Sequence, residues 1–443
     1  MELLEGSVKK HFAKYLVQSV GIAISVALYS LVDTIAIGQG VGPEGAAACA
    51  IVLPIFYISN FIALLCGVGG SVQMGKARGE GNTEKGDAYF AASAVMVAVM
   101  IAVVWIAGMI FQDQFYRLFG ADETILPVAR EYGSLIFAFL PFINMVVFLD
   151  LFIKADGSPK FALLSTLIGA AINIFGDWLF VFPLGMGMRG AAIATVAGNV
   201  FQALFLLSYI LLKKTHLKFA RPNRWRMAFR KIIATGFGAA VGALAVIAIS
   251  LIANNQIMKY IGEAALSIYG ALATLSAVFT DVFVGIGQSV QPVASQNYGA
   301  GKNERCVEAL HIGIRTAAVF GLVLSAVCMI FPVQIVSFFM KTTPEINEIA
   351  PYILRVYCAS YLPLALNTFM VYYLQAVSRR NQASVISLSR GIVLNGIFLM
   401  VFPLLFQGNG IWWAVLTAEL ITMLMAFVFT MQTKKNLLMG KAV

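Results

Sequence analysis

The chain has 443 residues, 60% of them hydrophobic and 12% charged, with a mean hydropathy of +0.85. Soluble globular domains do not carry that balance, so the composition reads as an integral membrane protein. The formal net charge of +10 would suit a nucleic-acid partner, but the basic residues fall into loops on one side, with about 25 of the 31 there, which is the positive-inside pattern and places both termini in the cytoplasm.

Apolar runs of spanning length occur 12 times, at roughly 15–39, 46–75, 87–112, 124–150, 161–185, 190–212, 232–256, 264–292, 307–333, 349–376, 383–405 and 411–432. The segment before them, MELLEGSVKKHFAKYL, lacks a cleavable leader's small-residue site, and residues 2–14 read as a cytoplasmic amphipathic lead-in. The first span carries Asp33 in SLVDTIAIGQGVG, about two turns before its outer end. The fifth carries Asp177, with Asn173 one turn earlier on the same helix face. Pro183 and the glycines at 185, 187 and 190 then turn the chain, and the sixth span brings Thr195 back to a similar depth. A carboxylate at bilayer depth costs about 2.5–3.5 kcal/mol on insertion scales, so such groups face a partner or a water-filled path. The common depth of Asp33, Asn173, Asp177 and Thr195 marks one polar focus.

The run KKTHLKFARPNRWR from Lys213 reads as a topology anchor and a linker between lobes, not as a nucleic-acid site. Beyond it the chain repeats itself. GVGGSVQ at Gly67–Gln73 returns as GIGQSVQ at Gly285–Gln291, 218 positions on. Val181, Phe182 and Pro183 return as Val401, Phe402 and Pro403 after 220, and Pro141 as Pro363 after 222. The fold class is therefore all-α membrane, with 12 transmembrane helices in two pseudo-symmetric six-helix bundles. The boundaries are 1–213 for the N-lobe, 214–231 for the basic cytoplasmic linker and 232–443 for the C-lobe. An even number of spans per copy gives parallel repeats, the plan of a rocking transporter with a cavity between lobes.

The polar focus is not duplicated. Under the 220 displacement Asn173, Asp177 and Thr195 meet Val393, Ile397 and Val415, and Asp33 meets Ala253. The C-lobe instead holds Asp281 near the middle of the eighth span, read as a substrate-cavity group, while Arg390 and Glu419 read as a structural pair. The loops FIKADGSPKFA and QNYGAGKNERC look mechanical, and neither contains the phosphate loop of an ATP-driven pump. No catalytic grouping is present, so an enzyme is not expected. The five scattered cysteines form neither a disulfide framework nor a metal spacing.

With LVDTIAIGQGVG, GVGGSVQMGKARG, KADGSPKFA, NIFGDWLFVFPLG, GAAIAT and GIGQSVQPVASQNYGAG in this order, the chain resembles the multidrug and toxic compound extrusion (MATE) family over nearly its whole length. The resemblance implies two bundles in a V shape, a cation-coupled (H⁺ or Na⁺) antiporter exporting organic, mainly cationic, drugs by alternating access, and ion coupling through Asp33, Asn173, Asp177 and Thr195. Family branches that add acids in the seventh and tenth spans are not matched, since the seventh offers Asn254 and Asn255 and the tenth has no acid. A lipid-linked saccharide flippase of the wider superfamily is the alternative, disfavoured because the buried charges are mainly acidic. An intramembrane aspartyl enzyme and a channel are weaker rivals. Expected partners are small organic solutes and membrane lipids, with no nucleic acid, no cofactor, no metal beyond a possible Na⁺ at the coupling site, a monomeric state and a multi-pass place in the plasma or inner membrane.

Overall fold

The computed structural model describes residues 2–212, 216–339 and 343–439. Lys213, Lys214 and Lys441 of the basic tally, with the first residues of the linker, lie outside them. The described chain is built of helices: α1 (Val8–Gly40), α2 (Pro43–Gly79), α3 (Thr83–Leu118), α4 (Leu126–Ala138), α5 (Leu140–Ala155), α6 (Pro159–Val181), α7 (Gly187–Leu211) and α8 (Trp225–Tyr260). The remainder are α9 (Glu263–Gly299), α10 (Asn303–Ile330), α11 (Pro332–Phe339), α12 (Pro344–Cys358), α13 (Tyr361–Ala376), α14 (Arg380–Leu388), α15 (Asn395–Phe406) and α16 (Asn409–Leu438), with a π-helical turn at Ser389–Leu394 between α14 and α15. Among the described residues, eleven helical spans are long and apolar enough to cross a membrane, and the bent pair α4 and α5 makes a twelfth.

Three spans depart from the unbroken helices expected of them. The fourth bends by 52° at Phe139, because Pro141 in the next helix's first turn has no N–H to give and its ring crowds the preceding turn. The tenth is likewise divided at Ala359 and Ser360, immediately before Tyr361, with Pro363 in the first turn of the next helix. The eleventh widens into the π turn. The short α11 falls at the end of what reads as the ninth span.

Two compact units divide the chain, Val17–Ala243 and Met1–Leu16 with Leu244–Val443. In the first, small residues let helices approach closely, as in lipid, where packing rather than water drives association. A Cβ on Gly198 would strike the Gly169 carbonyl, and one on Gly176 would strike Ala194, so α6 and α7 lie nearly backbone to backbone. The opening half of α8 joins this unit in the same way. A Cβ on Gly69 would meet the Ile232 carbonyl, one on Gly236 the Leu65 carbonyl, and Gln73 Nε2 donates to Thr235 Oγ1 at 2.8 Å.

The segment that leads into each half is held by polar clamps. In the second unit Arg305 donates to the Gly6 carbonyl at 2.7 Å and the Leu3 carbonyl at 3.1 Å, and Lys302 Nζ donates to the Leu4 carbonyl at 2.8 Å. Val8, Phe12 and Tyr15 are buried, so the lead-in is the docked start of α1. In the first unit Arg78 donates to Asp156 at 2.6 Å and to the His216 carbonyl at 3.0 Å, while the His216 N–H donates to Asp156 Oδ2 at 3.1 Å.

The repeat is visible in the helix bounds. Both α2 and α9 have 37 residues and their ends differ by 220 positions. Gly67 therefore stands opposite Gly287, two residues from the partner the motif suggested, and these glycines abut Leu151 of α5 and Tyr372 of α13. Packing against the equivalent helix, not the run of identical letters, sets the register. Gly236→Val should lower stability by about 3 kcal/mol, because the added methyls displace a carbonyl of α2. Thermal unfolding in detergent measures this, with Gly242→Ala, where a Cβ meets open space, expected to be near neutral; equal losses would show that the α2 contact does not decide the cost.

Candidate functional site

Helix α6 buries one face and exposes the other. Gly169, Ala170, Asn173, Gly176 and Asp177 are buried, whereas Leu164, Leu167, Phe175, Trp178 and Phe182 are exposed at the positions between. The apolar face suits lipid, and the same 3.6-residue period turns the carboxylate inward. Asp177 lies one turn before the end of α6, Thr195 two turns into α7, and Asp33 two turns before the end of α1.

The four sequence-derived residues lie in the Val17–Ala243 unit, and hydrogen bonds link three of them. Thr195 Oγ1 donates to Asp33 Oδ1 at 3.3 Å, and Asn173 Nδ2 donates to Thr195 Oγ1 at 3.4 Å. Asn199 Nδ2 donates to the Thr195 carbonyl at 2.8 Å and fixes the turn that carries it. Asp177 is 0% exposed, and neither of its carboxylate oxygens has a hydrogen-bond partner; Asn173 Oδ1 is buried and unpartnered as well. Asp33 lies within electrostatic range of Asp177. Two carboxylates, an amide oxygen and a hydroxyl thus converge with acceptors to spare, and among the described residues no lysine or arginine is hydrogen-bonded to either carboxylate. Such an all-oxygen set fits a proton shared by the acids or a hard monovalent cation.

Sequence reasoning missed Tyr132. It is buried on α4, within hydrogen-bonding reach of Thr195 and within electrostatic range of Asp33 and Asp177. A lone tyrosine in an apolar span carries no spacing signal, and only the bend at Phe139 shows that this span is special. The start of α4 is anchored by Asp122, whose carboxylate accepts from Thr124 Oγ1 at 2.7 Å and the Ile125 N–H at 2.8 Å. These bonds hold the Asp122 carboxyl below its usual range.

Asp281 stands apart, in the other unit. It is exposed at the middle of α9, in line with Glu263, Ser267, Gly270, Thr274 and Ala277, all exposed at helical spacing. The neighbouring α10 exposes Val319, Leu322, Val323, Val327 and Ile330 instead. An uncharged apolar stripe suits hydrocarbon, and a small polar one ending in a carboxylate suits water. Arg390 Nε pairs with Glu419 Oε1 at 2.8 Å, the structural pair the sequence suggested. Among the described residues no three His, Cys, Asp or Glu side chains gather as a metal centre.

A family model described as MatE matches residues 19–179 and 238–401. The FAD transporter of Shewanella oneidensis is 29% identical over 83% of this chain and 82% of that protein. The multidrug export protein MepA of Staphylococcus haemolyticus is 26% identical over 98% and 94%. Among solved structures, a multidrug resistance MATE family transporter of the MOP superfamily in an outward-facing conformation superposes with a TM-score of 0.91 at 20% identity, over 98% of each chain. A MOP superfamily transporter from Pyrococcus furiosus gives 0.90 at 21%, again over 98% of each.

Because Asp177 is enclosed without a partner, it costs stability whenever it is charged. Asp177→Asn should raise the apparent stability in sodium-free buffer above neutral pH by about 1–3 kcal/mol, read as a higher melting temperature in detergent. A decrease would mean that the carboxylate has a stabilising partner in the folded protein.

Proposed function

This chain belongs to the MATE family of membrane transporters, and on that premise we propose that it is a cation-coupled antiporter that exports organic, mainly cationic, compounds by alternating access. The observation that carries this is the unpartnered Asp177 beside Asp33, Asn173 and Thr195. A cluster with spare acceptors and no cationic side chain is stable when it holds a mobile cation, and a transporter needs a group whose occupancy differs between its two exposures. A proton or Na⁺ entering from outside neutralises the acids, and Asp33 on α1 is then free to repack against α6 and α7. Asp281 on the polar face of α9 supplies an attraction for cationic solutes. Of the relatives, MepA is named for multidrug export, which supports a drug-like cargo. The relative named a FAD transporter supports a second cargo, an anionic flavin dinucleotide.

We propose that the protein acts as a monomer in the plasma or inner membrane, with both termini cytoplasmic on the strength of the loop charges. A single cysteine at Asn223, in a background without the five native ones, should react with an impermeant maleimide only from the cytoplasmic side; reaction from outside reverses the topology.

Proteoliposomes under an imposed pH gradient and, separately, an imposed Na⁺ gradient test the coupling. Asp177→Asn is expected to fold, bind substrate and lose uphill export by at least about tenfold, the scale of a coupling free energy above 1.4 kcal/mol. Asn173→Ala should be milder if the ion is H⁺ and nearly as severe if it is Na⁺, which uses the amide oxygen as a ligand. Full gradient-driven export by the double variant Asp33→Asn, Asp177→Asn would falsify the site, and export of a flavin dinucleotide in place of organic cations would establish the second cargo.

A further inference from the structure

The second half of the chain also encloses a carboxylate within a span, and it treats that group in the opposite way. Glu419 lies ten residues into α16 and is buried. Arg390 lies in the π turn, ten residues into the span Arg380–Phe406. At about 1.5 Å per residue both groups sit about 15 Å from the helix ends that carry them, in the middle of the bilayer. Arg390 Nε donates to Glu419 Oε1 at 2.8 Å and Nη1 to Thr368 Oγ1 at 2.9 Å. Asn367 Nδ2 donates to Glu419 Oε2 at 2.8 Å, and Asn395 Nδ2 takes the Arg390 carbonyl at 2.6 Å. The amide oxygens of both asparagines, Asn367 Oδ1 and Asn395 Oδ1, are buried and have no partner.

The donor set around Glu419 thus resembles the one around Asp177 in kind: a buried carboxylate, an amide oxygen with spare lone pairs and, through Arg390, a threonine hydroxyl. It differs in one member, a guanidinium fixed to the chain. The positions 220 earlier are Ala170 and Asn199, each about one turn from Asn173 and Thr195, so the cluster occupies the pseudo-equivalent helices one turn nearer their other end. The widened π turn shifts the facing of the residues around it, a device that recurs where a helix must aim a side chain inward.

We propose that Arg390 is a tethered surrogate for the coupling cation: it fills a latent cation site formed by Glu419 and Asn367, and so confines ion binding to the first half of the molecule. An ion pair satisfied by an attached guanidinium has no free energy to gain from H⁺ or Na⁺, whereas the same carboxylate without it is an uncompensated charge in hydrocarbon and recruits one. Tyr372, which lies within electrostatic range of both Arg390 and Asp281, connects the cluster to the polar face of α9. The proposal rests on the coupling role given above to Asp177.

Binding is measured on purified full-length protein, with radiolabelled Na⁺ at fixed pH and with proton uptake in weakly buffered, Na⁺-free solution. In the Asp177→Asn background, Arg390→Gln should restore binding of one cation per protein, and adding Glu419→Gln should abolish it again. Arg390→Lys, which keeps a tethered charge, should restore nothing. Lack of restored binding in a folded Arg390→Gln, Asp177→Asn protein overturns the proposal. A second variant covers failure to fold: the neutral pair Arg390→Gln, Glu419→Gln should fold and bind as many cations as the wild type, and loss of a bound cation in it would show that Glu419 already serves as an ion site, which also overturns the proposal. If Asp177→Asn leaves wild-type binding unchanged, the coupling reading fails, and the gain on Arg390→Gln in the otherwise native chain still decides the role of Arg390.

Discussion

The enclosure of Asp177 is the constraint on which the first half of the molecule turns. Inside a bilayer the backbone satisfies itself within each helix, so α6 and α7 have no free N–H groups to offer a carboxylate. Their close approach removes the other source of donors. Gly169, Gly176 and Gly198 bring the two backbones together, and Ala191, Ala192 and Ala194 are fully buried along the same seam. Of the polar groups near the acid, Thr195 and Asn173 spend their donors on Asp33 and on each other, and Tyr132 lies within reach of Thr195. The packing that makes the helix pair stable in lipid is therefore what leaves the carboxylate unpaired.

The second half shows what relaxing that packing allows. Its eleventh span opens into a π turn where the fifth stays α-helical, and the wider turn admits Arg390 beside Glu419. A buried carboxylate with an attached guanidinium trades the cost of an uncompensated charge for the cost of desolvating two. Duplication of one six-helix unit gave both halves the same helices, with polar groups set about one turn apart in depth. Divergence then lay in which residues met across them, so helix-level symmetry coexists with opposite treatment of charge.

The spans, the repeat and the convergence of Asp33, Asn173, Asp177 and Thr195 were legible because each rests on a one-dimensional quantity: hydropathy over a span length, a displacement, or a depth counted from a helix end. Tyr132 was not, because its role depends on a bend that carries α4 against Thr195, and Pro141, the visible cause, lies nine residues away. The π turn has no composition of its own, and SRGIVL reads as an ordinary stretch of helix. Register in the repeat was read two residues off at Gly67 because identical letters recur in Gly-rich motifs, whereas the contact of Gly67 with Leu151 and of Gly287 with Tyr372 is a matter of packing. The docking of residues 2–7 was invisible for a similar reason, since its acceptors are backbone carbonyls that any sequence supplies.

The site has one rigid wall and one loosely held member. Asn173, Asp177 and Thr195 sit on α6 and α7, which glycine contacts lock together, while Asp33 is joined to them by a single hydrogen bond of 3.3 Å from Thr195. Between Val17 and Gly40 only Gln18, Ser19, Ala23, Ser25, Ala36 and Ile37 are buried, so α1 has little packing to resist displacement. Long hydrogen bonds and sparse burial place an element at the low-stability end of a fold, where moving parts are drawn from. In the proposed transport cycle, a change of charge at the two acids is therefore felt first in α1. The helix pair that carries Asp177 is held by backbone contacts that do not depend on charge, and it serves as the fixed surface against which α1 shifts.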